Sequence, residues 1–519
     1  MVEAVIGRLT RRAVTLVSFV ALVMIAAVAL LGGSWSQFGW WWLAVTAAAL
    51  AAVAVWRLVG GWALRAWRRL GAPKWVLPVA LFAGFLAVKL VFAFCWQTQQ
   101  RSDFLIMYQA AEAINQGDFS FNQSAYWQFF SYQTPFAIYE AFMLKLFGGA
   151  LAPLLAVGAL AMAGTNFLVY VFARRMSGSA VAGVFAGLMY LAYTGPYLLA
   201  NVLTNDHLST FFLYLGAYLV LLAPGRLPRP GGWALVAAGG VALQLGNLAR
   251  PAGVVVCVGL MAALIAAPLM GLRRRDRTRP AAPPAGAPPT PALESAPGPT
   301  WRPLAFALAA GVAALTIYGL AGAAADSAVK ASGVNPGGVG NHLPEWKLVM
   351  GLAGAAGAGE VGIHEATPKP DARATAQRIV DGALSNLPQH WPGVLSRQTR
   401  VLWAQNDTAV FQFWPQVQGI GLYEVPDSDR LTTAHYSVVL ERGGFLPAVV
   451  AAAWGVLLIN RRRQWGRLAA FLGLFIAAYA LVHLAIEVQP RYRYLAMPAI
   501  FALGGPAWAW ATRWRRSGS

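Results

Sequence analysis

The stretch "VLPVALFAGFLAVKLVFAFCWQTQQRSDFLIMYQAAEA" (residues 76–113) decides the fold. Its first part, 76–96, is apolar throughout except for Lys89, and a helix needs about 20 apolar residues to cross a bilayer. A polar mouth follows, with Arg101, Ser102 and Asp103 in sequence. Behind it Phe104, Met107, Tyr108, Ala111 and Ile114 recur near helical spacing, as in a helix lying on the membrane surface. The order is therefore span, polar mouth, amphipathic helix, with a carboxylate at the mouth.

The same apolar signature repeats along a chain of 519 residues that is 58% hydrophobic and only 12% charged. Spans are expected at 14–33, 38–57, 76–96, 151–173, 179–197, 207–223, 232–249, 251–270, 303–322, 444–460, 466–486 and 493–511. The fold class is thus an all-α polytopic membrane protein of about 12 transmembrane helices. The first span has basic flanks like a signal peptide's. It lacks a convincing cleavage site and runs straight into another span, so it reads as an anchor.

Basic residues set the orientation. Arg8, Arg11, Arg12, the segment from Arg57 to Lys74, Arg174, Arg175, Arg226, Arg229, "RRRDR" (273–277), "RRR" (461–463) and the terminal "RWRR" all fall on one side of the expected bundle. Cytoplasmic loops carry the Lys/Arg excess. The net charge of +20 therefore records topology rather than nucleic-acid binding, and both termini are expected in the cytoplasm of a cell that carries the chain in its plasma membrane. The two cysteines, Cys95 and Cys257, sit in apolar runs and imply no disulfide framework. No Cys/His cluster has metal-ligand spacing, so no cofactor is indicated.

Two large segments face outward, 97–150 and 323–443. The organisation reads as a two-span extension (1–75), a transmembrane core with the first external loop (76–272), a Pro/Ala-rich cytoplasmic linker (273–302) and a span (303–322). An extracytoplasmic subdomain (323–443) and a three-span segment (444–519) complete it. No internal repeat is evident. The subdomain holds Trp346, Trp391, Trp403 and Trp414, which read first as subdomain core or interfacial belt and only second as rings that stack on sugars. A helix is expected at 371–386.

The residues able to carry chemistry lie at outward-facing helix ends. Asp103 follows the third span. "VLTNDHLSTFF" (202–212) places Asn205, Asp206 and His207 at the outward start of another. Each acid alone reads as a helix N-cap, Ser102 or Asp103 in the first case. As a pair facing one compartment they point to acid/base work. Cations join them: "EVQPRYRYLAMP" (487–498) brings Glu487, Arg491, Tyr492 and Arg493 between the last two spans, and "LARPAG" (248–253) puts Arg250 at an outward turn. External arginines break the positive-inside pattern, and a guanidinium fork suits phosphate, lipid headgroups included. Lys89 lies within its span, where a charge is a functional hypothesis by default, although lysine also snorkels to the interface. This set suits transfer from a lipid phosphate to a hydroxyl: a phosphate against arginines, and a carboxylate to take the proton.

These motifs resemble the GT-C glycosyltransferases that use polyprenyl-phosphate sugars, the class of the protein mannosyltransferases and aminoarabinose transferases. The similar stretches are "SDF" (102–104), "YQAAEAINQGDF" (108–119), the aromatic and Gln-containing run before "KLFGG" (145–149), "TND" (204–206), "ARP" (249–251), "MGLAG" (350–354) and "EVQPRYRYLAMP". They span roughly 76–511. The resemblance implies a GT-C-like fold, a polyprenyl-phosphate-linked sugar as donor, a carbohydrate, lipid or protein acceptor, and inverting transfer without a covalent intermediate. It makes Asp103 the general base, Asp206 a residue that orients the acceptor or tunes the base, and Arg250, Arg491 and Arg493 the phosphate-binding cations. Tyr108, Gln133, His207, Glu487, Tyr492 and Lys89 complete the expected substrate-contacting set. A divalent metal is compatible with the class, but nothing in this chain calls for one. The chain departs from the pattern in three places. Members often carry paired acids in the first loop, whereas Phe104 follows Asp103 and Asp118 is the nearest other Asp. Asp206 stands where many have Glu, and two spans precede the usual first one.

A transporter or flippase of lipid-linked sugars is the alternative from another class. It needs polar groups and broken helices near the bilayer midplane. Here most spans are rich in Ala, Leu and Val, and the informative charges gather at the outward ends. A structural membrane protein explains the spans but not the external arginines.

Overall fold

The computed structural model describes residues 2–31, 73–95, 100–271, 301–340, 346–352, 372–404 and 427–511, with isolated positions elsewhere in 46–98. Every regular element among them is helical: α1 (Val2–Leu31), α2 (Val76–Cys95), α3 (Ser102–Gln116), α4 (Ala125–Phe129), α5 (Thr134–Leu146), α6 (Ala152–Ser177), α7 (Ala180–Ala192), α8 (Gly195–Leu198), α9 (Asn205–Leu222), α10 (Pro230–Ala249), α11 (Gly253–Gly271), α12 (Arg302–Ala331), α13 (Trp346–Leu352), α14 (Ala372–Thr399), α15 (Asp427–Arg461), α16 (Arg467–Val482), α17 (Met497–Leu503) and α18 (Gly505–Ala511). Local chemistry sets their ends. Gly117 and Gly178 close α3 and α6 in the left-handed conformation, and the Ser179 and Thr204 side chains cap α7 and α9.

Nine helices among the described residues are long and apolar enough to cross a membrane, so the chain is an all-helical multi-pass membrane protein. Eight of them fall on expected spans; the ninth, Val5–Leu30, begins well before the expected 14. Most of the expected span 38–57, the linker up to residue 300 and Trp414 lie outside the described residues. Two expectations change. The span at 466–486 is the 16-residue helix α16, ended by the turns after Val482. The span at 493–511 is divided into a 3₁₀ turn (Pro490–Leu495), α17 and α18, because Pro498 and Pro506 each start a new helical stretch. The helix expected at 371–386 continues to Thr399.

Apolar attraction between helices is weak in lipid, so close packing falls to small residues. Helices α9 and α10 run antiparallel in close contact. A methyl group at Gly216 would lie 2.7 Å from the Gly239 carbonyl, and one at Gly246 would lie 2.9 Å from the Leu213 nitrogen. This seam brings the start of α9 level with the end of α10. Other contacts join α11 to α16, α6 to α7 and α2, α10 to α12, and α1 to α15. Exposed Val79, Val91 and Phe94 on α2 and Val312 and Leu320 on α12 leave apolar faces for the bilayer.

Helix α3 was expected on the membrane surface, but its apolar face is covered by protein. Phe104, Met107 and Ala110 pack with Trp127, Phe136 and Leu198. This packing holds the polar mouth against the bundle.

Candidate functional site

One cavity of about 860 Å³ opens at the end of the bundle where α3, α9, α11 and α13 begin and α10, α12 and α16 finish. Its charged lining comes from distant segments: Asp103 on α3, Arg250 after α10, Lys347 on α13, and Glu487 and Arg491 from the loop beyond α16. Phe104, Phe130, Tyr132 and Tyr492 supply rings, and Gln133, Gln244, Asn247 and Gln489 supply amides.

Neither acid caps its helix. Arg101 holds the N-cap position of α3 without a side-chain cap bond, and Asp103 stands in the first turn. There it accepts from Arg491 Nη2 at 2.5 Å. Ser102, beside it, adopts φ +53°, a region sparsely used by residues other than glycine. In α9 the cap is Thr204, which accepts from Asp206 N at 3.1 Å. That leaves the buried Asp206 carboxylate for an ion pair with Arg250.

The arginines are set over rings. The Arg250 guanidinium lies 4.5 Å from the Tyr492 ring centre, and that of Arg491 lies 5.2 Å from Phe104 and 5.9 Å from Tyr492. Arg491 Nε is buried and donates to nothing among the described residues. A third pair joins Lys347 to Glu487, whose other oxygen accepts from Gln489 Nε2 at 2.8 Å, while Glu487 N donates to Lys347 O at 2.8 Å. Burial alone would raise the Glu487 carboxyl. The Lys347 ammonium and the hydrogen bonds from Lys347, Gln489 and Tyr492 outweigh it and hold the group below its ordinary range. Burial raises the Tyr492 phenol to about 12, against the opposing pull of Lys347 and the arginines, so it stays protonated and can donate.

The 3₁₀ turn Pro490–Leu495 explains which residues of "PRYRYL" face the cavity. At three residues per turn, positions two apart point about 240° from one another. Arg491 faces the cavity, and Arg493 turns into the protein, where its Nη2 lies 2.6 Å from Glu441 Oε1. Tyr479 donates to Tyr492 O at 2.6 Å and Tyr214 to Leu495 O at 2.8 Å, pinning the inner side of the turn.

The structure therefore gathers Asp103, Arg250, Arg491, Tyr492, Glu487 and Gln133 around one cavity, with Asp206 directly behind Arg250. It does not bring the rest of the expected set there. Arg493 is 1% exposed and anchors α15. His207 uses both ring nitrogens internally: Nε2 donates to Leu199 O at 3.0 Å, so Nδ1 accepts from the Tyr494 hydroxyl at 2.7 Å. Tyr108 lies on α3 beside Glu112, away from the cavity lining, and burial and Glu112 raise its phenol to about 12. Lys89 is fully buried with its ammonium 3.6 Å from the Tyr197 ring centre. Trp403 is core, stacked on Phe445, and Trp391 is exposed.

Sequence reading missed Lys347, which stands three residues before the "MGLAG" stretch. The signal was available: it is a lysine in the segment 323–443, which the charge pattern leads one to expect on the outward side. Among the described residues no three His, Cys, Asp or Glu side chains group as metal ligands. The six ionised groups can hold an anionic ligand and exchange a proton with it. No protein-family model matches the chain, and comparison with curated proteins and with solved structures returned no match.

Proposed function

We propose that the chain is an integral-membrane glycosyltransferase of GT-C-like design. It transfers a sugar from a polyprenyl-phosphate donor to an acceptor hydroxyl, by inversion, on the extracytoplasmic side of the plasma membrane. One observation carries this reading: two acids and two arginines, drawn from four separate stretches of sequence, meet as Asp103–Arg491 and Asp206–Arg250 at one cavity on one end of a membrane bundle. That end is opposite the one where Arg11 binds Met270 O and where Arg174, Arg175, Arg226 and Arg229 emerge.

The groups divide the work. The donor's phosphate sits between Arg250 and Arg491, whose guanidinium groups supply the hydrogen-bond donors. Asp103 removes the proton from the acceptor hydroxyl, whose oxygen attacks the anomeric carbon. The bond from that carbon to the phosphate oxygen breaks, and its electron pair leaves on the phosphate. Each charge-assisted hydrogen bond to that oxygen contributes about 1.5–3 kcal/mol. A positioned base contributes about 10² to 10⁴-fold. Asp206 holds Arg250 in place. One base suffices for a single displacement, unlike the paired carboxylates of glycosidases.

The test is to supply the purified chain in nanodiscs with a panel of polyprenyl-phosphate sugars and a membrane-extract acceptor. Transfer of one sugar, with release of polyprenyl phosphate, supports the reading. If no donor is consumed while liposomes show lipid-linked sugar crossing the bilayer, the chain is a flippase instead.

A further inference from the structure

Each of the three cations lining the cavity faces an acid: Arg491 with Asp103, Arg250 with Asp206, Lys347 with Glu487. Together the six groups carry no net charge. An entering phosphate must therefore draw a guanidinium away from its carboxylate. Of the three pairs, Asp103–Arg491 is the one whose carboxylate is most open, with the acid side chain 29% exposed and the arginine 12%. It is also a single-point pair, one Nη2 to one Oδ2, which leaves the buried Arg491 Nε–H undirected. A phosphate offers two oxygens to that fork and a carboxylate here uses one, so phosphate is the stronger partner.

Resting on the glycosyltransferase reading, we infer that Arg491 is a latch on the base. While the guanidinium holds Asp103, its Oδ2 is engaged and a poor proton acceptor. When the donor's phosphate takes Nε and Nη2, Asp103 is released at the cavity mouth, where an acceptor hydroxyl arrives. Donor binding thus precedes base activation, and the same arginine then holds the departing phosphate. Asp206 is not freed in this way. It is buried beneath Arg250 and keeps the Thr204 hydroxyl at 3.2 Å, so Arg250 stays fixed while Arg491 exchanges partners.

The test uses the full chain in nanodiscs with farnesyl phosphate, and farnesol as the uncharged control. Lipid binding is followed by equilibrium dialysis. Asp103 is labelled with a water-soluble carbodiimide and an amine, with Asp118 as the reference carboxylate, and read by peptide mass spectrometry. Labelling of Asp103 is expected to rise about tenfold with farnesyl phosphate, the scale of losing one charge-assisted hydrogen bond, and not with farnesol. Arg491→Gln is expected to show the raised level without lipid. If farnesyl phosphate binds and Asp103 labelling stays level or falls, the latch is overturned while the phosphate site stands. If it does not bind, both are overturned.

Discussion

Asp103→Asn separates a catalytic acid from a structural one, because the two roles differ in size here. Asp103 provides no cap bond to α3, so the substitution removes no capping energy. It does weaken the pair with Arg491. A fully buried pair costs about 3–5 kcal/mol to break and an exposed one about 0–1. With side chains 29% and 12% exposed, and an amide oxygen still able to accept from Nη2, the loss falls near 1–2 kcal/mol. That is a decrease of only a few degrees in Tm for a chain of this size. Loss of the base costs about 10² to 10⁴-fold in turnover, or about 3–5 kcal/mol in barrier height. Sugar transfer and thermal unfolding in the same nanodiscs measure both. The double variant Asp103→Asn/Arg491→Gln removes the uncompensated arginine and is expected to regain stability but no activity. Near-normal turnover by Asp103→Asn, or recovery of turnover in the double variant, would refute the assignment.

Four further outcomes are expected. Arg250→Lys keeps the charge but loses the fork, so donor KM rises about tenfold with expression unchanged; an unaltered KM removes Arg250 from the phosphate site. Gly216→Ala drives a methyl group into the Gly239 and Leu243 backbone of the α9–α10 seam and lowers stability by about 1–3 kcal/mol, whereas Gly84→Ala, whose methyl group meets nothing within 4 Å, does not lower Tm. Because the folded Glu487 carboxyl lies below its ordinary value, its pairing stabilises the fold above about pH 4.5 and is lost as pH falls through the folded value. A Tm-versus-pH curve shows this as a decline on acidification that Glu487→Gln flattens. Finally, in a cysteine-free background Gly340→Cys reacts with an impermeant thiol reagent from outside and Ala285→Cys does not; the reverse pattern inverts every placement made for the cavity.

Among the described residues, nine of the twelve expected spans were legible because crossing a bilayer takes about 20 apolar residues. The last two were not, because turns after Val482 and the prolines Pro498 and Pro506 break the helices. The cavity's acids and arginines were legible too, since charge at a helix end stands out against an apolar chain. Their pairing was not. Asp103 and Arg491 lie 388 positions apart, and nothing local encodes that they meet. Arg491 and Arg493 read as a pair because both are arginines in one short motif, but the 3₁₀ turn separates their directions and sends Arg493 to Glu441. His207 follows Asp206 by one residue, which in a helix turns it about 100° away, into the core. Lys347 sits on a seven-residue helix, too short to show a period.

The glycine seam between α9 and α10 behaves as a ruler. It fixes the sliding position of two antiparallel helices, and with it the distance between an acid at the start of one and an arginine just past the end of the other. Adding one residue within either helix moves its end by about 1.5 Å and rotates it by about 100°, which parts Asp206 from Arg250 although no cavity residue is changed. The turn at 226–229, at the far end of the same hairpin, is packed as well: Leu227 is buried in the core and Gly232 lies against the Arg226 backbone. Helix length is thus what keeps the acid and the arginine in register.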